Sequence, residues 1–222
     1  MGLSRHARTE SIDDGELVKL KHNIGKSQKR AHAEHHSTGD WNFDNANWQL
    51  NSTTYHGAPS SLHFLDANKT FVKVTTVPIA SVKQGSFVAW LYANNATQAI
   101  ISIFLRWQDA NNHYRVDIVC GTTFEHYIVK IKAGVTTFLK SGTVNWLPVS
   151  TWGKVRISWW DDTVGLVIRV EYWNGSVWVK IIDDGYDNEN LWQTIGGRIG
   201  IGHDTARALY WFIDDIEIYQ TV

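Results

Sequence analysis

The sequence predicts an all-β protein, built as a two-sheet antiparallel sandwich or a closed barrel and led by a polar N-terminal arm. Three observations carry this. All twelve tryptophans lie between Trp41 and Trp211, and tryptophan favours strands and is costly to leave exposed. From Trp41 onward, short β-prone runs alternate with turn residues. No window of useful length after residue 40 has a helical period, and no repeat of fixed period suggests a propeller or solenoid.

The elements follow in order. Residues 1–40 read as the arm. Its main apolar residues, Ile12, Leu17, Leu20 and Ile24, are too sparse for a core. Glu16–Lys21 could form one helical turn or a short strand, and Lys26–His36 reads as a polar linker. Twelve strand candidates come next: 60–65, 70–77, 86–93, 99–107, 113–120, 124–132, 135–140, 153–160, 164–173, 176–182, 197–202 and 208–219. Turn signals punctuate them at Asn111-Asn112, Ala133-Gly134, Asp161-Asp162, Asn174-Gly175 and Asp184-Gly185. Asn174-Gly175, between two aromatic runs, predicts a tight type I′ hairpin, because both central residues of that turn need positive φ.

The 222 residues suffice for one large β domain plus an appendage. A formal net charge of −1 argues against a nucleic-acid partner. The arm is mildly basic: residues 1–36 hold seven Lys/Arg, five Asp/Glu and five of the ten His. Cys120 is the sole cysteine, so no intrachain disulfide forms. No apolar run reaches signal-peptide or membrane-spanning length. The expectation is a protein made in the cytoplasm without a signal peptide and without membrane insertion. Its four Asn-x-Ser/Thr sequons, at Asn51, Asn68, Asn95 and Asn174, are then chance matches.

Several fragments resemble the concanavalin A-like lectin/glucanase superfamily, which includes laminin-G-like modules. Gly196–Tyr219 looks like its closing pair of strands, a Gly-rich strand and an aromatic one ending in Asp-Asp-x-x-x-Tyr. Arg106–Val116 resembles its Asp-x-x-Asn turn before Tyr-Arg. Trp152–Trp160 is similar to the strand entering the second half, and Trp48–Phe64 to the opening of carbohydrate-binding members. The resemblance covers roughly residues 41–222 and implies a jelly-roll sandwich there, with 1–40 as arm. It also implies a structural calcium ion joining the first and last strands, held by Asp40 or Asp44 with Asp214 or Asp215, since oxygen ligands suit Ca2+. Turn and rim carboxylates are the alternative reading of those four residues.

Hydrolases of this superfamily resemble one another in a Glu-x-Asp-x-Glu strand whose carboxylates share a cleft. This chain has only adjacent pairs, Asp161-Asp162, Asp183-Asp184 and Asp214-Asp215. Neighbours on a strand face opposite sides, so no such pair flanks one bond. The first two pairs read as turns, and the chain reads as a non-enzyme. His32, His35 and His36 could hold a transition metal, but they lack a helical register or a cysteine and read as linker.

Sugar binding needs exposed aromatic platforms beside groups that hydrogen-bond hydroxyls. Trp192 is the first candidate, in the loop Asp187–Thr194 beside Asn190 and Gln193. Trp107 is the second, and Trp173 and Trp178 flank the Asn174-Gly175 turn. Trp90, Trp159 and Trp211 sit within strands, where alternation sends half of all side chains outward. The reading is a recognition or structural module: a virus or phage particle surface protein of decoration or adhesion type. It carries a glycan-binding sandwich tethered by residues 1–40, which join a viral or multi-protein assembly or a homo-oligomer. The alternatives are a free lectin-like protein and a glucanase-like hydrolase.

Overall fold

The computed structural model describes residues 27–33, 48–57, 61–64, 73–76, 82–94, 98–121, 124–203 and 211–221. These form two antiparallel sheets packed as a sandwich, all β. The larger sheet runs β12 (Trp178–Asp187), β11 (Gly165–Trp173), β10 (Trp152–Asp162), β5 (Gly85–Ala93), β14 (Trp211–Thr221), β3 (Ser61–Phe64) and β2 (Trp48–Asn51). An eighth strand, β1 (Ser27–Ala33), pairs with the second half of β14. The smaller sheet runs β4 (Lys73–Thr76), β13 (Arg198–His203), β6 (Gln98–Asp109), β7 (Asn112–Gly121), β8 (His126–Lys132) and β9 (Val135–Gly142). Among the described residues no helix is long and apolar enough to cross a membrane.

Alternation builds the core. Phe87, Ala89, Leu91 and Ala93 of β5 point inward with Val155, Ile157 and Trp159 of β10 and Leu166, Ile168 and Val170 of β11. They meet Ile101, Ile103 and Leu105 of β6 and Tyr114, Val116, Ile118 and Cys120 of β7. Trp159 and Trp211 belong to this interior. Trp90, by contrast, faces outward from β5 between the inward Ala89 and Leu91.

All twelve expected strands are present, and two more were not foreseen. β1 lies in the stretch read as a linker: its backbone pairs from Ser27↔Thr221 to Ala33↔Ile216. A polar edge strand joined through main-chain bonds leaves no apolar alternation to read. β2 has only four residues.

Three turn expectations are corrected. Asp161 and Asp162 end β10, and the turn falls on the two residues that follow. Asp183 and Asp184 lie within β12, at an irregularity in the ladder where Ile182 pairs with Val170 and Gly185 with Ile168. Two residues there face Arg169 alone, which is a bulge. At Asn174-Gly175 the connection is four residues long, closed by Trp173↔Trp178. Only Gly175 has positive φ, +100°. The Asn174 side-chain Oδ1 accepts from the N–H groups of Ser176 (3.0 Å) and Val177 (2.9 Å), and the Asn174 N–H donates to the Val177 carbonyl at 3.2 Å. Ala133-Gly134 does form the expected turn, with φ of +49° and +78°.

Candidate ligand-binding face

Residues paired across neighbouring strands share a sheet face, so the register of the larger sheet lays its outward side chains out in rows. The first row is Trp152↔Tyr92↔Phe212↔His63, crossing β10, β5, β14 and β3. Its rings touch in sequence: Trp152 to Tyr92 at 5.3 Å, Tyr92 to Phe212 at 5.6 Å, and Phe212 stacked on His63 at 4.1 Å.

The second row begins with Trp178↔Trp173, whose rings lie 5.5 Å apart. Tyr172 pairs with Val155, so Trp173 lines up with Lys154, and Lys154 pairs with Trp90. The Lys154 Nζ lies 5.8 Å from the Trp90 ring centre. His56, from the loop after β2, stacks on Trp90 at 3.6 Å and 16°. Trp90, Tyr92, Trp152, Trp173 and Trp178 are all half-buried; His56 covers one face of Trp90 and the Arg156 guanidinium one face of Trp178.

The next rows are polar and paired. Arg156 bonds Glu171 at 2.9 Å and its guanidinium lies 4.4 Å over the Trp178 ring. Arg169 grips both oxygens of Asp184, at 3.0 and 2.8 Å, and covers Trp160 at 5.0 Å. Lys180 reaches Asp184 at 3.1 Å. Burial alone would raise the Asp184 carboxyl, but the bonds from Arg169 and Lys180 outweigh it and hold it below its usual range.

The other sequence candidates lie elsewhere. Trp192 is half-buried, has φ of +60°, and packs on the core with its ring edge-on to Tyr114 at 5.4 Å. The oxygen of Asn190 accepts from Arg106 Nη1 at 2.7 Å. Gln193 is exposed. Arg106 itself is wholly buried with φ of +47°. It also donates to the Lys83 and Leu191 carbonyls and to Asp161 Oδ1, at 2.9, 3.1 and 2.7 Å. A side chain on Gly197 would strike its backbone, the built Cβ lying 2.2 Å from the Arg106 carbonyl carbon.

Asp187 anchors the same loop, accepting from Tyr114 Oη and Lys130 Nζ. Burial and this carboxylate both push the Tyr114 hydroxyl upward from its ordinary pKa. Trp107 is on the smaller sheet, half-buried against Phe104 at 5.2 Å and His113 at 4.6 Å. The structure thus brings Trp173 and Trp178 together with Trp90 and Trp152, and places Trp192 and Trp107 apart from them. Tyr92, Trp152, Lys154 and His56 were missed, because strand neighbours in a sheet are not sequence neighbours.

The four proposed calcium ligands divide. Asp40 and Asp44 fall outside the described residues, as do His35 and His36. Asp214 Oδ2 accepts from the N–H groups of His56 (2.9 Å) and Gly57 (3.2 Å), and Oδ1 from that of Asp215 (2.9 Å). Asp215, at φ +49°, forms the bulge between Asp214↔Trp90 and Glu217↔Val88, and its carboxylate faces His56 Nδ1 at 3.3 Å. These N–H donors make Asp214 the anchor of the loop that follows β2. Among the described residues no three ligating side chains converge.

No known family model matches the chain, and no curated protein matches it. Solved structures do. The VIP36 exoplasmic/lumenal domain in its Ca2+/Man-bound form aligns at TM-score 0.59 and 9% identity, over 84% of each chain. The carbohydrate binding module CBM66 from Bacillus subtilis aligns at 0.51 and 9%, over 87% of this chain and 95% of that one. The cellulose induced protein Cip1 aligns at 0.52 and 16%, over 85% and 96%. The shared property is the fold. At that level this is a two-sheet antiparallel β-sandwich similar to those of these structures.

Proposed function

We propose that this chain is a non-enzymatic recognition module that binds a glycan on the outer face of its larger sheet. One observation carries the reading: Trp178, Trp173 and Trp90 stand half-exposed in one cross-strand row beside Trp152 and Tyr92. A row of indoles gives consecutive sugar rings flat apolar surface on which to stack. Neighbours of the same fold include a named carbohydrate binding module and a mannose-bound domain, which supports the ligand class. The carboxylates Glu171, Asp184 and Asp214 on this face are each taken by a cation or N–H groups, which supports recognition over hydrolysis.

A glycan array with the full chain tests this. Binding is expected, and Trp173→Ala should weaken it by about 1–3 kcal/mol, the scale of aromatic stacking on a ring. No binding by the wild type, or release of reducing sugar abolished by a single carboxylate change, would overturn it. The proposed setting is the surface of a virus or phage particle, with the residues that precede β1 as tether; a free lectin-like protein is the alternative. Negative-stain microscopy of the full chain separates an assembly subunit from a free monomer.

A further inference from the structure

The cations on the outer face of the larger sheet are not alike. Arg156 is paired with Glu171, and Arg169 and Lys180 share Asp184. Each is neutralised within the sheet. Lys154 has no carboxylate within ion-pair distance among the described residues; its ammonium group contacts the Trp90 ring. It stands mid-row, Trp173 on one side and Trp90 on the other, and is half-buried. An ammonium between two aromatic platforms lies where a stacked sugar would place its substituents.

We infer that the glycan recognised here is acidic, and that Lys154 receives a carboxylate or sulfate carried by a sugar ring stacked in the Trp173–Trp90 row. A hydroxyl would satisfy the platforms equally well but would leave the charge unanswered. An anionic substituent forms a charge-assisted hydrogen bond, stronger than a neutral one and shielded by the flanking rings from bulk water. The flanking ion pairs add to selectivity, since Arg156 and Arg169 are held by their own carboxylates and leave Lys154, among the described residues of this face, as the cation without a carboxylate partner.

This inference rests on the glycan-binding reading, and the experiment separates the two. The full chain is applied to an array of uronate-, sialate- and sulfate-bearing glycans, each beside its carboxyl-reduced, desialylated or desulfated counterpart. Acidic members should bind at least about ten-fold more tightly than their neutral counterparts, with the preference shrinking as salt rises. Lys154→Gln should erase the preference, Lys154→Arg should keep most of it, and Lys83→Gln, which removes an exposed charge outside the row, should leave it intact. Thermal midpoints of all three variants confirm that the fold survives. Equal binding of acidic and neutral members, or a preference unchanged by Lys154→Gln, overturns the acidic ligand and leaves glycan binding standing. Wild-type binding to no glycan of either kind overturns both.

Discussion

Replacing Arg106 with alanine should cost about 3–5 kcal/mol, read as a shift in denaturation midpoint, because it strands Asp161 and two carbonyls that the guanidinium now satisfies. Trp192→Ala should cost a comparable but smaller amount, roughly 2–3 kcal/mol, since its half-buried ring packs on Tyr114. Glycan affinity should survive that change, because Trp192 lies away from the Trp173–Trp90 row. His113 sets a pH dependence. Burial drops its pKa to about 4; Arg115 adds to the drop, and Asp109 opposes it through carbonyl and carboxylate. The unfolded chain therefore takes up the proton first as pH falls below about 6.5. Stability is full above that value and declines toward pH 4, by up to about 1.4 kcal/mol per unit for this residue. His63 and His126 are lowered by burial and act in the same direction. Thermal midpoints across that window should fall, and His113→Gln should flatten the slope.

At the scale of elements, the β11–β12 hairpin is the part of the face most open to test. Asn174→Ala removes the acceptor for two N–H groups and should cost about 1 kcal/mol. It should also weaken glycan binding, because the same loop sets Trp173 against Trp178. The strands were legible in the sequence wherever apolar residues alternate, as in β5, β7 and β11. β1 escaped because Ser27–Ala33 joins the sheet through its backbone and has no apolar pattern. The Asp184-Gly185 pair looked like a turn because its composition is that of a turn; Arg169 instead holds Asp184 inside a bulged strand. The face was half legible. Trp173 and Trp178 flank a local signal, whereas Trp90 meets Lys154 only because β10 lies beside β5, some sixty residues away in the chain. No local pattern encodes that adjacency.

For the whole molecule, residues 41–222 should fold cooperatively on their own, since the core described above is drawn from β3 onward. Their thermal midpoint should fall below that of residues 27–222, because deleting β1 exposes the second-half edge of β14. Loss of a cooperative transition in the shorter chain would make β1 part of the folding unit. Sizing the full chain against the shorter form tests the arm as an assembly element, with equal monomeric masses removing that role. The β1–β14 pairing also fixes a geometry of presentation. Ser27 sits opposite Thr221, while the aromatic rows meet β14 at Phe212 and Asp214. About seven to nine residues of extended strand, roughly 25 Å, separate the two. Chain leaving either position departs from a single corner, and the indoles stand at the far end. A sandwich grafted to a surface by that corner would hold its ring platforms outward, clear of the attachment point, whichever terminus carried the link.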